Sequence, residues 1–307
     1  MLREFAKKLI WLRLAQLHIN TLCRENSFRI PVHLALGHEA IAVAVDHVMA
    51  VDDALFLTHR NIHYNLIRQG SLKEELDEYY LKPEGLGRGM LGSMNLFNSE
   101  KSVIYTSSIL ANNLPVATGY ALSRELNKSN AVTFVVTGDG AIEEGAFYES
   151  LLFMKSHNLK VIVIVENNQW SLATSINQRR SEINLSRLCS SLGIDYENFE
   201  NNDVEEYAKK LTKLRNNVLT SSNPLLLEVS LETLGHWSVS DDTSPAGRFI
   251  NYHCGASPYL PSIDQNRFPL ISESGSDPLY WLTQKINISE LVEYTTTLTD
   301  VIKENLS

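Results

Sequence analysis

Two short, strongly apolar runs stand in the middle of the chain, AVTFVVT at 131–137 and KVIVIVE at 160–166. Runs of this length, rich in valine and isoleucine, are typical of strands that are buried on both faces of a sheet. The residues between them, 141–158, have the spacing of a helix. This strand–helix–strand order predicts a βαβ unit, and therefore a parallel sheet with right-handed crossovers.

Further helical and strand patterns flank this unit. An amphipathic helix is predicted at the N-terminus from the spacing of Leu2, Phe5, Leu9, Leu12, Leu17 and Ile19. Further helices are predicted within 38–49, 71–81, 114–127, 203–218, 277–286 and 288–305, and further strands within 52–61 and 224–232. Segments 82–95 and 234–276 are rich in Gly, Pro, Ser or Asp, so we expect loops there.

These elements predict an α/β fold with a mainly parallel sheet and helices on both faces. We expect one domain over residues 1–307. It would have an N-terminal helical segment to about residue 50 and a C-terminal loop-plus-helix extension from about residue 234.

Composition narrows the function classes. A net charge of −9 argues against a nucleic-acid partner, since phosphate binding requires a basic face. No apolar run approaches the length of a membrane span, and no signal peptide is recognisable, so we expect a cytoplasmic protein. Cys23, Cys189 and Cys254 form no CxxC pair and indicate neither a disulfide framework nor a zinc site.

Polar residues follow each of the two central strands. Asp139 lies in a Gly-Asp-Gly turn after the first, and Asn167 and Asn168 follow the second. The carboxyl ends of neighbouring parallel strands meet at one edge of the sheet, where ligands bind. A carboxylate, an amide oxygen and nearby carbonyls form an all-oxygen set that suits Mg²⁺.

The same turn has the features of a phosphate site. Gly138 and Gly140 allow a tight turn and a close approach of the backbone to a ligand. We expect the helix to open at Ala141 and Ile142, whose amide groups would cradle a phosphate with help from the helix dipole. A lone Gly-Asp-Gly is more often a simple turn, but here Asn167 follows after 26 residues, with a helix and a strand between.

This spacing, GDG(x26)NN, resembles the thiamine diphosphate motif. Over roughly residues 1–300 the chain is similar to alpha subunits of the decarboxylating component of 2-oxo acid dehydrogenases, such as those for pyruvate, branched-chain 2-oxo acids and acetoin. The segments that carry the resemblance, in family order, are LGHEAIAVAV, THRN, GRGMLGSM, LPVATGYAL, GDGAIEEGAFYESL, ENNQW, SDD and SDPL. The resemblance implies a thiamine-diphosphate-binding fold.

It also implies roles for individual residues. Asp139, Asn168 and the carbonyl of Trp170 would bind Mg²⁺. The residues that would contact thiamine diphosphate are His59, Arg60, Ser108, Leu110, Gly138, Gly140, Ala141 and Ile142. Among these, Arg60 would clamp phosphate oxygens, a task suited to its forked guanidinium.

The candidate catalytic residues are His236 and His63, as general acid–base groups. Here the chain departs from the family. In LGHWSVSDD, Trp237 occupies the position where relatives place a histidine, and His236 comes one residue earlier. Asn95 replaces a common histidine in GSMN, and His38 replaces glutamine in GHEA. From the resemblance we expect these changes to affect the substrate side and to leave the cofactor motif intact.

The resemblance implies an alpha subunit that oxidatively decarboxylates a small 2-oxo acid, or acts on acetoin, and passes the acyl group to a lipoyl acceptor. A beta subunit would supply the activating glutamate, so the chain would be active only with it, as an α₂β₂ heterotetramer. A lipoyl-bearing acyltransferase would be a further partner. Two alternatives stay open, a non-oxidative carboligase or transketolase-like subunit and a non-catalytic scaffold. A nicotinamide-binding protein is excluded because no G-x-G-x-x-G follows the relevant strand.

Overall fold

The computed structural model describes residues 1–235, 237–241, 244–250, 253–263 and 267–306, with the backbone alone for 237–241 and 244–250. The strands are β1 (Ala54–Thr58), β2 (Val103–Ser107), β3 (Thr133–Gly138), β4 (Val161–Asn167), β5 (Trp170–Ser171), β6 (Thr174–Ser175), β7 (Asp195–Phe199), β8 (Leu225–Ser230), β9 (Trp237–Asp241) and β10 (Ser244–Ile250). The helices are α1 (Leu2–Arg24), α2 (Glu39–Val48), α3 (Ile62–Gln69), α4 (Leu72–Tyr79), α5 (Asn113–Leu126), α6 (Gly145–Ser156), α7 (Ile176–Arg179), α8 (Leu185–Leu192), α9 (Val204–Ser221), α10 (Pro278–Thr283) and α11 (Ile288–Leu306).

Six strands form one parallel sheet in the order β2-β1-β3-β4-β8-β7. The predicted α/β fold with a mainly parallel sheet is therefore confirmed. From β1 the chain runs outward to β2 and then returns to the other side of β1 as β3. This reversal creates a crevice at the carboxyl ends of the strands, which is where open α/β sheets bind ligands.

Strand β4 shows why the central strands are apolar throughout. Ile162 and Ile164 face one hydrophobic core, whereas Val161, Val163 and Val165 face the other, and all five are fully buried. Helices α1, α2 and α9 contribute to the first core, and α5, α6 and α8 to the second. Each such side chain contributes about 1.5–3 kcal/mol on burial, so the central strands anchor the edge that carries the polar turns.

The N-terminal helices share a core with the sheet. Buried side chains of α1 and α2 belong to the same cluster as those of β3 and β8. We therefore propose that the segment up to residue 50 is part of the same domain. Among the described residues, no helix combines the length and the apolar character needed to cross a membrane.

The structure differs from the predictions in several places. The predicted loop of residues 234–276 contains an antiparallel pair, β9 and β10, so the C-terminal extension is not only loop and helix. Strand β7 escaped prediction because it is a polar edge strand, with only Phe199 fully buried. Helix α6 begins at Gly145 and not at Ala141, because Ala141–Glu143 form a 3₁₀ turn and Glu144 is extended.

Candidate functional site

A cavity of about 300 Å³ opens at the carboxyl ends of β1, β3 and β4. Its walls come from the segments that follow β1, β2, β3 and β4, as expected at the reversal point of the sheet. It brings together the predicted site residues His59, Arg60, Ser108, Leu110, Gly138, Asp139, Gly140, Ala141, Asn168 and Trp170.

Three predicted site residues are not on the described cavity wall. Ile142 points into the hydrophobic core and is 2% exposed, which leaves only its backbone for a ligand. His63, in the first turn of α3, is fully buried and contacts Glu166, whose side chain does line the cavity. His236 lies outside the described residues.

Asp139 follows directly after β3 and is 2% exposed. Its carboxylate accepts a hydrogen bond from Arg179, the last residue of α7, and the two form an ion pair. Burial raises the pKa of Asp139 to about 6, and Arg179 opposes that rise. Arg179 also pairs with Glu143, which in turn accepts a hydrogen bond from Arg180 at 3.0 Å. A buried carboxylate that faces a ligand cavity is well suited to bind a metal ion.

The side-chain amide of Asn168 is held at both ends. Its Nδ2 donates to Thr233 Oγ1 at 2.7 Å, and its Oδ1 accepts from the backbone N–H of Trp170 at 3.1 Å. Gln169 between them has a φ of 67°, in the left-handed region, which turns the chain sharply after β4. The amide oxygen keeps a second lone pair that is available for a cation.

Gly140 leaves its backbone open to a ligand, because it has no side chain. A Cβ at this position would lie 2.8 Å from Ser171 Oγ and 3.4 Å from Arg179 Nη1, so a side chain would fill the space between them. The hydroxyl of Thr137, on the same wall, is buried without a hydrogen-bond partner among the described residues. A glycine cradle beside a carboxylate, an amide oxygen and a guanidinium fits a metal-bound diphosphate.

Histidines surround Arg60, which lines the cavity after the end of β1. The ring of His33 lies edge to face with the rings of His59 and His253, with centroid distances of 4.8 and 4.9 Å. Arg60 donates to the carbonyl of Leu34 and, at 3.1 Å, to that of His253. Sequence reasoning missed His33 and His253. The position of His33, shortly before the GHEA motif, was the one signal that pointed to it.

Burial together with the nearby Arg60 charge lowers the pKa of His33 to about 2, and those of His59 and His253 to about 4. In the unfolded chain these groups titrate near 6.5, so between pH 6.5 and 4 the unfolded state binds more protons. We therefore expect stability to fall as pH drops through this window. Asp139, whose pKa is raised, contributes with the opposite sign.

The measurement is the denaturant midpoint at pH 7 and pH 5 for the wild type and for His33→Gln. The variant lacks the most strongly shifted histidine, so it should lose less stability on acidification. An equal loss of stability on acidification in both proteins would contradict a contribution of His33 to this pH dependence.

Glu166 was also missed, although it is a lone charge at the end of an apolar strand. It is 6% exposed and accepts hydrogen bonds from His38 at 3.0 Å, His63 at 3.0 Å and Tyr64 at 2.9 Å. Burial opposes its ionisation, yet the interactions with His63 and His38 hold its pKa below the usual range. It forms a buried polar centre at the wall of the cavity.

Fold and site together define an α/β protein with a cavity at the reversal point of a parallel sheet, lined by a buried carboxylate, an amide and a guanidinium. The chain belongs to the dehydrogenase E1 component family, whose model matches residues 9–247. The resemblance predicted from the sequence motifs is therefore confirmed.

The similarity to individual proteins supports this family assignment. The chain is 31% identical to the pyruvate dehydrogenase E1 component subunit alpha of Rickettsia bellii over 210 residues, which are 68% of this chain and 64% of that protein. It is 27% identical to the mitochondrial 2-oxoisovalerate dehydrogenase subunit alpha 1 of Arabidopsis thaliana, over 70% of this chain and 46% of that protein. The chain thus spans less than two thirds of the length of these relatives.

A solved transketolase from Pichia stipitis shares the fold. Its TM-score is 0.60 at 16% identity, over 98% of this chain and 44% of that one. At this identity the likeness concerns the fold alone.

Proposed function

We propose that this protein is the alpha subunit of a thiamine-diphosphate-dependent 2-oxo acid dehydrogenase. It would carry out oxidative decarboxylation and pass the acyl group to a lipoyl acceptor. The observation that carries this proposal is the meeting of Asp139, Asn168 and the Gly140 cradle in one cavity. The names of the relatives, for pyruvate and 2-oxoisovalerate, favour this oxidative reaction over the non-oxidative alternative.

The cofactor side of the proposal rests on ligand chemistry. Asp139, Asn168 Oδ1 and the Trp170 carbonyl would hold Mg²⁺, and the backbone of Gly140 and Ala141 would face the diphosphate. When bound, thiamine diphosphate supplies the nucleophilic carbon and accepts the electron pair released with CO₂.

The substrate side of the proposal rests on Arg60 and the histidines around it. Arg60 keeps a positive charge there, which suits the carboxylate of a 2-oxo acid or a phosphate oxygen. The depressed pKa values of His33, His59 and His253 keep these rings neutral near pH 7, so each can donate one hydrogen bond and accept another. We propose that His63 acts through Glu166 and does not touch substrate. A role for His236 stays a prediction.

A partner subunit is part of the proposal. Three large apolar side chains are exposed at the rim of the cavity, Ile109 at 68%, Leu172 at 63% and Leu110 at 43%. Such a cluster is typical of a surface that another chain covers. We propose that a beta subunit covers it, contributes the activating glutamate and forms an α₂β₂ assembly. A cytoplasmic location and a lipoyl-bearing acyltransferase stay predictions.

The proposed reaction is tested with the chain purified together with its beta subunit. Pyruvate and branched-chain 2-oxo acids are supplied, and CO₂ release is measured with and without a lipoyl acceptor. The proposal expects turnover that depends on the acceptor. Turnover that ignores the acceptor would support the carboligase alternative, and cofactor binding without turnover would support the scaffold alternative.

Arg179 forms an ion pair with the carboxylate of Asp139, which the metal would need as a ligand. Because Mg²⁺ must displace this largely buried ion pair, Arg179→Gln should lower the Mg²⁺ concentration for half-saturation roughly fivefold, which corresponds to about 1 kcal/mol. The titration is done at saturating thiamine diphosphate. The exposed Arg187→Gln is the matched control for the loss of one positive charge. Weaker Mg²⁺ binding in Arg179→Gln would contradict this competition and would indicate that Arg179 contacts the diphosphate.

A further inference from the structure

A chain of hydrogen bonds runs from the buried Glu166 to the predicted metal ligand Asn168. His38 Nδ1 lies 3.0 Å from Glu166 Oε2, and His38 Nε2 lies 2.8 Å from Thr233 Oγ1. Thr233 Oγ1 in turn accepts from Asn168 Nδ2 at 2.7 Å. Glu166, His38 and Thr233 are 6%, 1% and 0% exposed, so water does not compete for these bonds.

Each bond in this chain has a defined direction. An ionised carboxylate only accepts, so His38 must carry its proton on Nδ1, facing Glu166. Burial lowers the pKa of His38, which favours the neutral ring and makes Nε2 an acceptor. The Thr233 hydroxyl then donates to Nε2, and its oxygen lone pairs face Asn168.

The direction of the chain decides which end of the Asn168 amide turns towards Thr233. An oxygen at that end would meet another oxygen whose proton is already directed to His38, so the NH₂ group must lie there. The Trp170 N–H, 3.1 Å from Oδ1, is consistent with the same orientation from the other side.

We infer that His38 and Thr233 are positioning residues that present Asn168 to the metal by its oxygen and keep its NH₂ group turned away. This inference rests on the proposed function, since it assumes that Asn168 binds the metal. It gives a role to His38 and Thr233, neither of which is among the predicted cofactor-binding or metal-binding residues, and Glu166 forms the far end of the hydrogen-bond chain. Such outer contacts typically change metal affinity about 10- to 100-fold.

The chain of hydrogen bonds also explains why histidine can stand in GHEA, where relatives have glutamine. A glutamine amide offers an NH₂ group that can donate to Glu166 and an oxygen that can accept from Thr233, as the two nitrogens of the neutral His38 ring do. His38→Gln should therefore keep the direction of the chain. His38→Leu removes both groups and should break it.

The decisive variant is Thr233→Val, which keeps the shape of the side chain and removes the hydroxyl. We expect the Mg²⁺ concentration for half-saturation, at saturating thiamine diphosphate and with the beta subunit present, to rise roughly 10- to 100-fold. Thr233→Ser and His38→Gln should stay close to the wild type, because each restores the missing hydrogen bonds. The binding signal is calorimetric heat, so the test does not depend on turnover.

Thr299→Val is the matched control. Thr299 is 1% exposed, lies in α11 away from the cavity, and its hydroxyl has no partner among the described residues. An Asn168→Asp background adds a second control. A carboxylate presents oxygen at either end, so the Thr233→Val effect should largely disappear there.

Two failures are distinguishable. If the wild type binds thiamine diphosphate with Mg²⁺ but Thr233→Val and Thr299→Val have the same Mg²⁺ requirement, the positioning role is wrong and the proposed function stands. If the wild type shows no Mg²⁺-dependent binding, the proposed function is wrong and the positioning role falls with it.

Discussion

Replacing Asp139 with alanine should lower the affinity for thiamine diphosphate with Mg²⁺ by roughly 100-fold or more, since it removes an anionic ligand that would contact the metal directly. Asp139 is the only carboxylate among the predicted metal ligands, and it is 2% exposed at the wall of the cavity. The affinity is measured by titrating the cofactor into the variant purified with its beta subunit.

Two further variants separate the metal role from general charge. Asp139→Asn keeps an oxygen without the charge and should give an intermediate loss. Glu143→Gln removes a neighbouring acid that pairs with the same Arg179 but is more exposed, and it should change the affinity little. An Asp139→Ala variant that binds as well as Glu143→Gln would contradict a metal role for this residue.

The largest expected effect on stability is that of Arg13→Met. Arg13 is fully buried in α1 and donates to Glu39 at 2.6 Å and to Asp277 at 2.9 Å, both of which are also fully buried. Removing it leaves two unpaired carboxylates in the core, and breaking a buried pair in this way costs about 3–5 kcal/mol. Denaturant unfolding at pH 7 measures the loss.

Arg3→Met is the matched control, because Arg3 forms an ion pair with Glu290 at the surface, where screening by water leaves little net stability. Equal denaturant midpoints for the two variants would contradict the account of the buried triad.

The triad also connects stability with the site. Glu39 accepts the backbone N–H of Gly37 at 2.7 Å as well as the bonds from Arg13, so it fixes the turn that carries His38. Gly37 has a φ of 92°, and a Cβ there would lie 2.2 Å from the carbonyl oxygen of Glu232. The glutamate of the GHEA motif is therefore structural, and it holds His38 against Thr233 and Glu166.

The sequence predicts those parts of the molecule that local physics determines. Strands β3 and β4 are continuous apolar runs because both of their faces are buried, and this alone indicates a parallel sheet. Because parallel strands end at one edge, the sequence is sufficient to predict that Asp139 and Asn168 share a site. The same argument places Gly140 in this site, because it lies in the turn after β3.

The remaining parts depend on contacts between distant segments. His38 and Glu166 are 128 residues apart, and Asn168 and Thr233 are 65 apart. No local pattern reports such pairs, since a buried histidine and a buried threonine look like any others in a sequence. Arg179 was missed for a related reason, because its short helix has too few residues for a recognisable period.

Calorimetric titration of thiamine diphosphate into the chain purified with its beta subunit, with Mg²⁺ and then with EDTA, tests the central claim most directly. Thiamine without its phosphates serves as the matched ligand. The account predicts binding that requires Mg²⁺ and is lost, or nearly lost, with thiamine. Binding that is unchanged by EDTA, or equal for thiamine and its diphosphate, would contradict a metal-bound diphosphate at Asp139 and Asn168.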